Sequence, residues 1–195
     1  MACHSVAGGN SLPRPGCGTL QEENEYEAWR KGIDMMKLIT ADTIEGLIDR
    51  ASASERRRAN HNVHESAEDP VQRLFVAAER DSYFRPHRHD GKSEFAMVLR
   101  GRFDVLVFDE AACVTERRSV GPGTDVVGFE LEPDAWHAWV PIEDDSVFFE
   151  VKLGPYDPDT AAEFAEWAPA ENTPEARAFA EKLRSAGVGE SLAIC

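Results

Sequence analysis

The chain is short of positive charge. It carries 21 Lys and Arg against 36 Asp and Glu, a net charge of 21 − 36 = −15. Such a surface repels the phosphates of nucleic acids and anionic membranes. The single run Arg56-Arg57-Arg58 is too short to reverse this, so neither nucleic acid nor membrane is an expected partner. Cysteine is scarce as well. The four thiols, Cys3, Cys17, Cys113 and Cys195, form no CxxC pair and read as free thiols of a reducing cytoplasm. No apolar stretch approaches the roughly 20 residues that span a bilayer. The first residues lack the positive start and apolar middle of a secretory leader, so a cytoplasmic protein is expected. GxSxG, P-loop and GxGxxG motifs are absent, which leaves triad hydrolases and nucleotide-binding folds without support. There is no internal repeat.

What is present suits one domain with trimmings: 195 residues, 42% of them hydrophobic. Residues 1–24 are rich in Gly, Pro and Ser and poor in apolar anchors, the composition of a flexible tail. From Glu25 to Ala53 the pattern is helical. Trp29, Ile33, Met36 and Ile39 recur at three- and four-residue steps, and a second stretch from Thr43 carries Ile44, Leu47 and Ile48. The polar segment 54–70 reads as extended or looped.

After Pro70 short apolar runs follow at even intervals: VQRLFVAA, SYFRPHRH, EFAMVLRG, RFDVLVFD, CVTERRSV, DVVGFELE, AWHAWVPI and SVFFEVKL. Turn signals such as Asp90-Gly91, Gly121-Pro122-Gly123 and Asp144-Asp145 separate them. This spacing predicts an all-β sandwich or barrel. Two helices are expected after it, one over DPDTAAEFAEWAP and one over NTPEARAFAEKLRSAG. Asn172 or Thr173 would cap the second, Pro174 would sit in its first turn, and Gly187 would end it.

His87 and His89 stand one residue apart, and in a strand positions i and i+2 share a face. Glu94 opens the next run, so its carboxylate can return to the same point. Two imidazoles and a carboxylate make a ligand face with open positions, suited to Fe(II), Mn, Ni or Zn doing chemistry. An HxH pair by itself is equally what chance places on a surface. Here it lies in His87-x-His89, four residues, Glu94, six residues, Gly101, and a third histidine, His137, follows the turn Glu132-Pro133-Asp134.

These two segments resemble the paired signature motifs of the cupin superfamily. The stretches NHNVH, DPVQRL, SYFRPHRH, VFDE, EVKLGPYDP and FAEWAPAE further resemble the small WbuC-type cupin metalloproteins of bacterial polysaccharide gene clusters, over about residues 38–172. The resemblance implies a mainly β fold, a single cupin double-stranded β-helix (jelly-roll barrel) with flanking N- and C-terminal helices. The expected layout is a tail over 1–24, a helical arm and extended segment over 25–69, the barrel over 70–155, and a C-terminal helical extension over 156–195. It also implies one divalent transition metal ion held by His87, His89, Glu94 and His137. One departure stands out: Glu132 and Asp134 replace the family's usual proline and glycine. Asp tolerates the left-handed conformation that such a turn needs, and Glu132 would add a carboxylate near the mouth.

Other residues are weighed against plainer roles. Tyr83 and Arg85 share the parity of the two histidines. Either they face the interior, with Tyr83 a candidate acid, or Tyr83 is a packed aromatic and Arg85 marks an exposed strand end. Arg73 is a snorkelling cation or an anchor for a substrate anion. Asn60, Asn62 and His64 form one extended face over the mouth, or an ordinary polar loop. Glu150 and Lys152 make an ion pair, or a polar wall beside the metal. Trp136 and Trp139 are expected to pack the core and exclude water. The catalytic candidates are thus Tyr83, His64 and Glu150, and the substrate-binding candidates are Arg73, Asn62 and Lys152.

Two kinds of function fit. One is a metal-dependent isomerase or epimerase of a small sugar or sugar-nucleotide in surface polysaccharide synthesis, with an Fe(II) dioxygenase as a variant. The other is a non-catalytic module for a small metal-chelating ligand. A small molecule and a second copy, in a homodimer, are the expected partners.

Overall fold

The computed structural model describes residues 36–193. The chain divides into two units, 1–40 and 41–195. The expected tail 1–24, Trp29, Ile33, Cys3, Cys17 and Cys195 lie outside the described residues. Of the first unit, residues 36–40 carry no regular secondary structure, so Met36 and Ile39 are not on a helix as their spacing suggested.

The second unit opens with helix α1 (Ala41–Ala53), with Asp42 in its first turn and Arg50 in its last, both favourable to the helix dipole. Ile44, Leu47, Ile48 and Ala51 recur on one face and pack on Phe75, Ala77 and Val147. Ten strands follow: β1 (Arg58–Asn62), β2 (Val71–Ala78), β3 (His87–Arg88), β4 (Glu94–Arg100), β5 (Phe103–Phe108), β6 (Val114–Val120), β7 (Gly128–Leu131), β8 (Trp136–Pro141), β9 (Ser146–Leu153) and β10 (Glu163–Phe164). Helix α2 (Pro174–Ser185) follows the last strand, with Pro at its start and Thr173 as its cap.

The strands form two five-stranded antiparallel sheets, ordered β1-β2-β9-β4-β7 and β10-β3-β8-β5-β6. Sequence neighbours mostly lie in opposite sheets, which is the crossing pattern of a jelly roll. Between the sheets sits a core of Val76, Phe84, Val98, Phe103, Val105, Val120, Trp139 and Phe148. Outside the second sheet, Leu106, Phe108, Val114 and Trp136 pack against Ala176, Phe179 and Leu183 of α2. Arg117 ties that helix down: it pairs with Asp104 and donates to the carbonyls of Leu183, Arg184 and Ala186 at the helix C-terminus.

Two expectations change here. The segment 157–169 is not a helix but turns around the short strand β10, which pairs with the free edge of β3. Asp157-Pro158-Asp159 turns the chain instead of starting a helix, since Asp157 caps its own turn at Asp159 N. Within the apolar run EFAMVLRG, Leu99 is 48% exposed and not buried, because β4 alternates strictly and turns Glu94, Ala96 and Val98 inward. Cys113 is a free thiol. Among the described residues, no helix is long and apolar enough to cross a membrane.

Candidate metal centre and its cavity

Strand β3 places His87 directly opposite His137 of β8, and Glu94 faces them from β4 in the other sheet. His89 lies just past β3, at the turn Asp90-Gly91. That turn is held by the second motif: Gly91 N donates to Asp134 Oδ1 at 2.8 Å, and Asp134 N donates to His89 O at 3.2 Å. Asp134 has φ +64°, the left-handed conformation its place in the motif demands. The neighbouring Glu132 is exposed and adds no carboxylate to the cavity lining.

One ligand atom from each of His87, His89, Glu94 and His137 lies within 4.8 Å of the other three. The orientation of each ring is fixed by its second nitrogen. Nδ1 of His87 donates to Arg85 O at 2.9 Å, Nδ1 of His137 to Ala135 O at 2.9 Å, and Nδ1 of His89 to Ala161 O at 2.6 Å. In the neutral rings the Nε2 atoms are then the unprotonated ones, the arrangement that metal-ligating imidazoles adopt. Two further observations fit a cation. His137 Nε2 and Glu94 Oε1 are buried without a hydrogen-bond partner. His89 Nε2 lies 2.8 Å from Glu94 Oε2, a contact that needs either a second proton on the ring or a cation between the two atoms. An ion shared between them satisfies both.

The electrostatics agree. Enclosure in the protein pushes the His87 imidazole well down, aided by His137, and burial likewise lowers His137, so both favour the unprotonated form a metal needs. Burial by itself would raise the Glu94 carboxyl. The His89 contact and the Lys152 charge outweigh it and hold Glu94 below the ordinary carboxylate range. Lys152 Nζ lies 3.7 Å from Glu94 Oε2 and is also paired with Glu150. Burial pushes the Glu150 carboxyl up, and the charge of Glu94 adds to this.

The cluster opens into a cavity of about 630 Å³. Asn60, Asn62 and His64 line it, together with Glu150 and Lys152 and with the apolar side chains of Leu74, Val76, Trp139 and Phe148. His64 is held through Nδ1 by Arg73 N at 3.0 Å. Two candidates lie elsewhere. Tyr83 packs beside Phe179 and donates its hydroxyl to Pro169 O at 3.0 Å, and burial pushes its pKa far up. Arg73 is exposed, 3.9 Å from Asp69, and outside the cavity lining. Arg85 does line it. Sequence reasoning missed Arg58, Glu171, Ala161 and Phe164 as cavity residues. For Arg58 the signal lay in a basic run read as surface, and for Phe164 in a segment read as helix.

A family model described as a domain of unknown function (DUF6016) matches residues 39–120. No curated protein matches the chain. Among solved structures, CapF with the inhibitor 3-isopropenyl-tropolone superposes with a TM-score of 0.51 at 15% identity, over 80% of this chain and 42% of CapF. The chain thus spans less than half the length of CapF, and the likeness is one of fold alone. A cupin 2 conserved barrel domain protein from Rhodopseudomonas palustris gives a TM-score of 0.42 at 14% identity, over 66% of this chain and 74% of that one. KdgF from Halomonas sp. gives 0.41 at 22%, over 52% and 82%. The barrel is a jelly roll of two antiparallel five-stranded sheets. Its two crossing sheets bring both motifs to one end, where a divalent metal fits.

Proposed function

We propose that the chain is a metal-dependent enzyme acting on a small polar molecule in the cavity. The reaction class is isomerisation or epimerisation of a sugar or sugar-nucleotide in bacterial surface polysaccharide synthesis. The observation that carries the enzyme reading is the pairing of an open His₃Glu cluster with two groups able to handle protons in the lining of the same cavity, Glu150 and His64. The sugar substrate rests on the resemblance to WbuC-type proteins.

His87, His89, Glu94 and His137 would hold the ion. A divalent Fe, Mn, Ni or Zn bound there supplies Lewis-acid polarisation of a carbonyl or hydroxyl oxygen. Glu150, its pKa raised by burial, is the group placed to carry a proton, with Lys152 as its counter-charge. Lys152 also keeps Glu94 ionised as a ligand. Asn60 and Asn62, joined by a 2.8 Å hydrogen bond, present amides to a hydroxylated substrate. Trp139 and Phe148, stacked with centroids 4.1 Å apart, seal the floor against water.

The withdrawal of Tyr83 from the cavity counts for the second reading, a non-catalytic binding module. The presence of His64 and Glu150 counts against it. The test is elemental analysis of protein purified without a His tag, followed by an NMR screen of sugar nucleotides. One equivalent of transition metal is expected, and most of it should be lost in His89→Ala. Adding His87→Ala should change little more, because the ligands act as one unit. A His89→Ala protein that keeps one tight equivalent overturns the site. A metal-loaded protein that binds sugar nucleotides but leaves all of them unchanged favours the binding module.

A further inference from the structure

Four cations line the cavity, Arg56, Arg58, Arg85 and Lys152, against the carboxylates of Glu65, Glu94, Glu150 and Glu171. Such an even balance is unusual on a chain of net charge −15. The cations are unevenly matched. Lys152 answers Glu94 and Glu150. Arg56 and Arg58 both close on the one carboxylate of Glu171. Arg85 forms no salt bridge among the described residues. Its Nη2 donates to Ala165 O at 2.7 Å, and its Nε is buried without a partner. Arg58 donates to Tyr83 O, two residues from Arg85. The wall of Arg56, Arg58, Arg85 and Glu171 therefore carries three positive charges against one negative.

This wall lies close to the metal cluster. The Phe164 ring has the Arg85 guanidinium 5.4 Å from its centroid and the His87 ring at 5.9 Å. One aromatic ring is thus a neighbour of both an unmatched guanidinium and a candidate ligand histidine. A guanidinium keeps its charge at all ordinary pH and holds most of its donors in one plane, which suits an oxyanion better than a hydroxyl. Leaving it without a counter-charge in a partly enclosed site costs free energy that an anionic ligand recovers.

We propose that Arg85 is a specificity-determining residue and that the ligand carries an oxyanion, a carboxylate or a phosphate ester, which Arg85 meets while the rest of the molecule reaches toward His87. This rests on the cavity being the ligand site of the proposed enzyme, and it narrows the substrate from small and polar to small and anionic.

The test compares three molecules with the same ring, glucose, glucuronate and glucose 1-phosphate, by calorimetric titration into protein whose metal content has been measured. At least one of the two anions should bind about ten-fold or more tightly than glucose. Preference for glucuronate alone assigns a carboxylate, and preference for glucose 1-phosphate alone assigns a phosphate ester. Arg85→Gln should erase the preference and leave metal stoichiometry unchanged. Arg73→Gln, outside the cavity, should leave the preference intact. Arg85→Lys covers the case in which the Gln variant does not fold: it should bind the favoured anion more weakly than wild type. The inference is overturned if wild type binds neither anion more tightly than glucose, or if the preference survives in folded Arg85→Gln or undiminished in Arg85→Lys. Failure of the enzyme reading shows separately, as protein without metal or without turnover, while the anion preference is still read from the titration.

Discussion

At the floor of the barrel and at its mouth the same strands present opposite chemistry. The inward positions of β9 run Phe148, Glu150, Lys152, and those of β4 run Val98, Ala96, Glu94, with each pair in register: Phe148 opposite Val98, Glu150 opposite Ala96, Lys152 opposite Glu94. On β8 Trp139 lies toward the floor and His137 toward the mouth. Period-two alternation therefore decides only which side chains point inward. Position along the strand decides whether an inward side chain meets aromatic rings or charge. The floor is held by shape and burial. The mouth is held by mutual charge, and a metal ion would complete it. Substitutions at the floor should cost stability alone, and those of the candidate ligands at the mouth should chiefly cost binding.

The largest effect is expected at the floor. Phe148→Ala should destabilise the protein by about 3–5 kcal/mol in urea unfolding, since Phe148 is 1% exposed and contacts Trp139, Phe103 and Phe84. What remains folded should still take up metal. A cost below about 1 kcal/mol would erase the distinction between the two ends. Next comes Lys152→Met, which leaves Glu94 and Glu150 without their shared cation. The apoprotein should lose about 3 kcal/mol, somewhat less because the ammonium keeps partial solvent contact, and added Zn²⁺ should restore part of its melting temperature. An unchanged apoprotein would mean the mouth is not held by charge.

His89→Ala should cost only about 1 kcal/mol and keep a β-rich circular dichroism spectrum while most of the metal is lost. If it unfolds, the ion is structural and the contrast between the ends fails. The smallest effect is that of pH. His87 and His137 have pKa values lowered by folding, so below about 6.5 the unfolded chain binds more protons than the native one. Their contribution to apoprotein stability is full above about 6.5 and is lost as pH falls from there toward their folded pKa values. The raised Glu150 acts with the opposite sign, its contribution being lost as pH rises above about 4.5 through its folded value. Thermal melts of the apoprotein should therefore decline modestly below pH 6.5, and His87→Ala should flatten that decline.

Much of the barrel was legible because its strands alternate strictly or carry long apolar runs. VQRLFVAA became β2 over the same residues, 71–78, and EFAMVLR became β4. The convergence of His87 and His89 was legible because their spacing matches local geometry, i and i+2 on one face. What could not be read were long-range choices. Nothing near Tyr83 in the sequence says that Pro169 will accept its hydroxyl proton. The alanines and aromatics of 161–167 have helical spacing, yet the open edge of β3 offers backbone partners that outcompete it. Met36 and Ile39 keep a helical spacing without a helix, a reminder that apolar period alone is a weak signal near an element's start.

The acceptors that aim the three imidazoles have different origins. Those of His87 and His137 come from the residue two positions back, whereas that of His89 is Ala161 O, seventy-two residues downstream. Two rings are thus aimed as soon as their own strands form. The third is aimed only when the segment leading into β10 has been laid across the mouth. During synthesis the cluster stays unfinished until that segment has left the ribosome, so a metal ion would meet three aimed rings only after it.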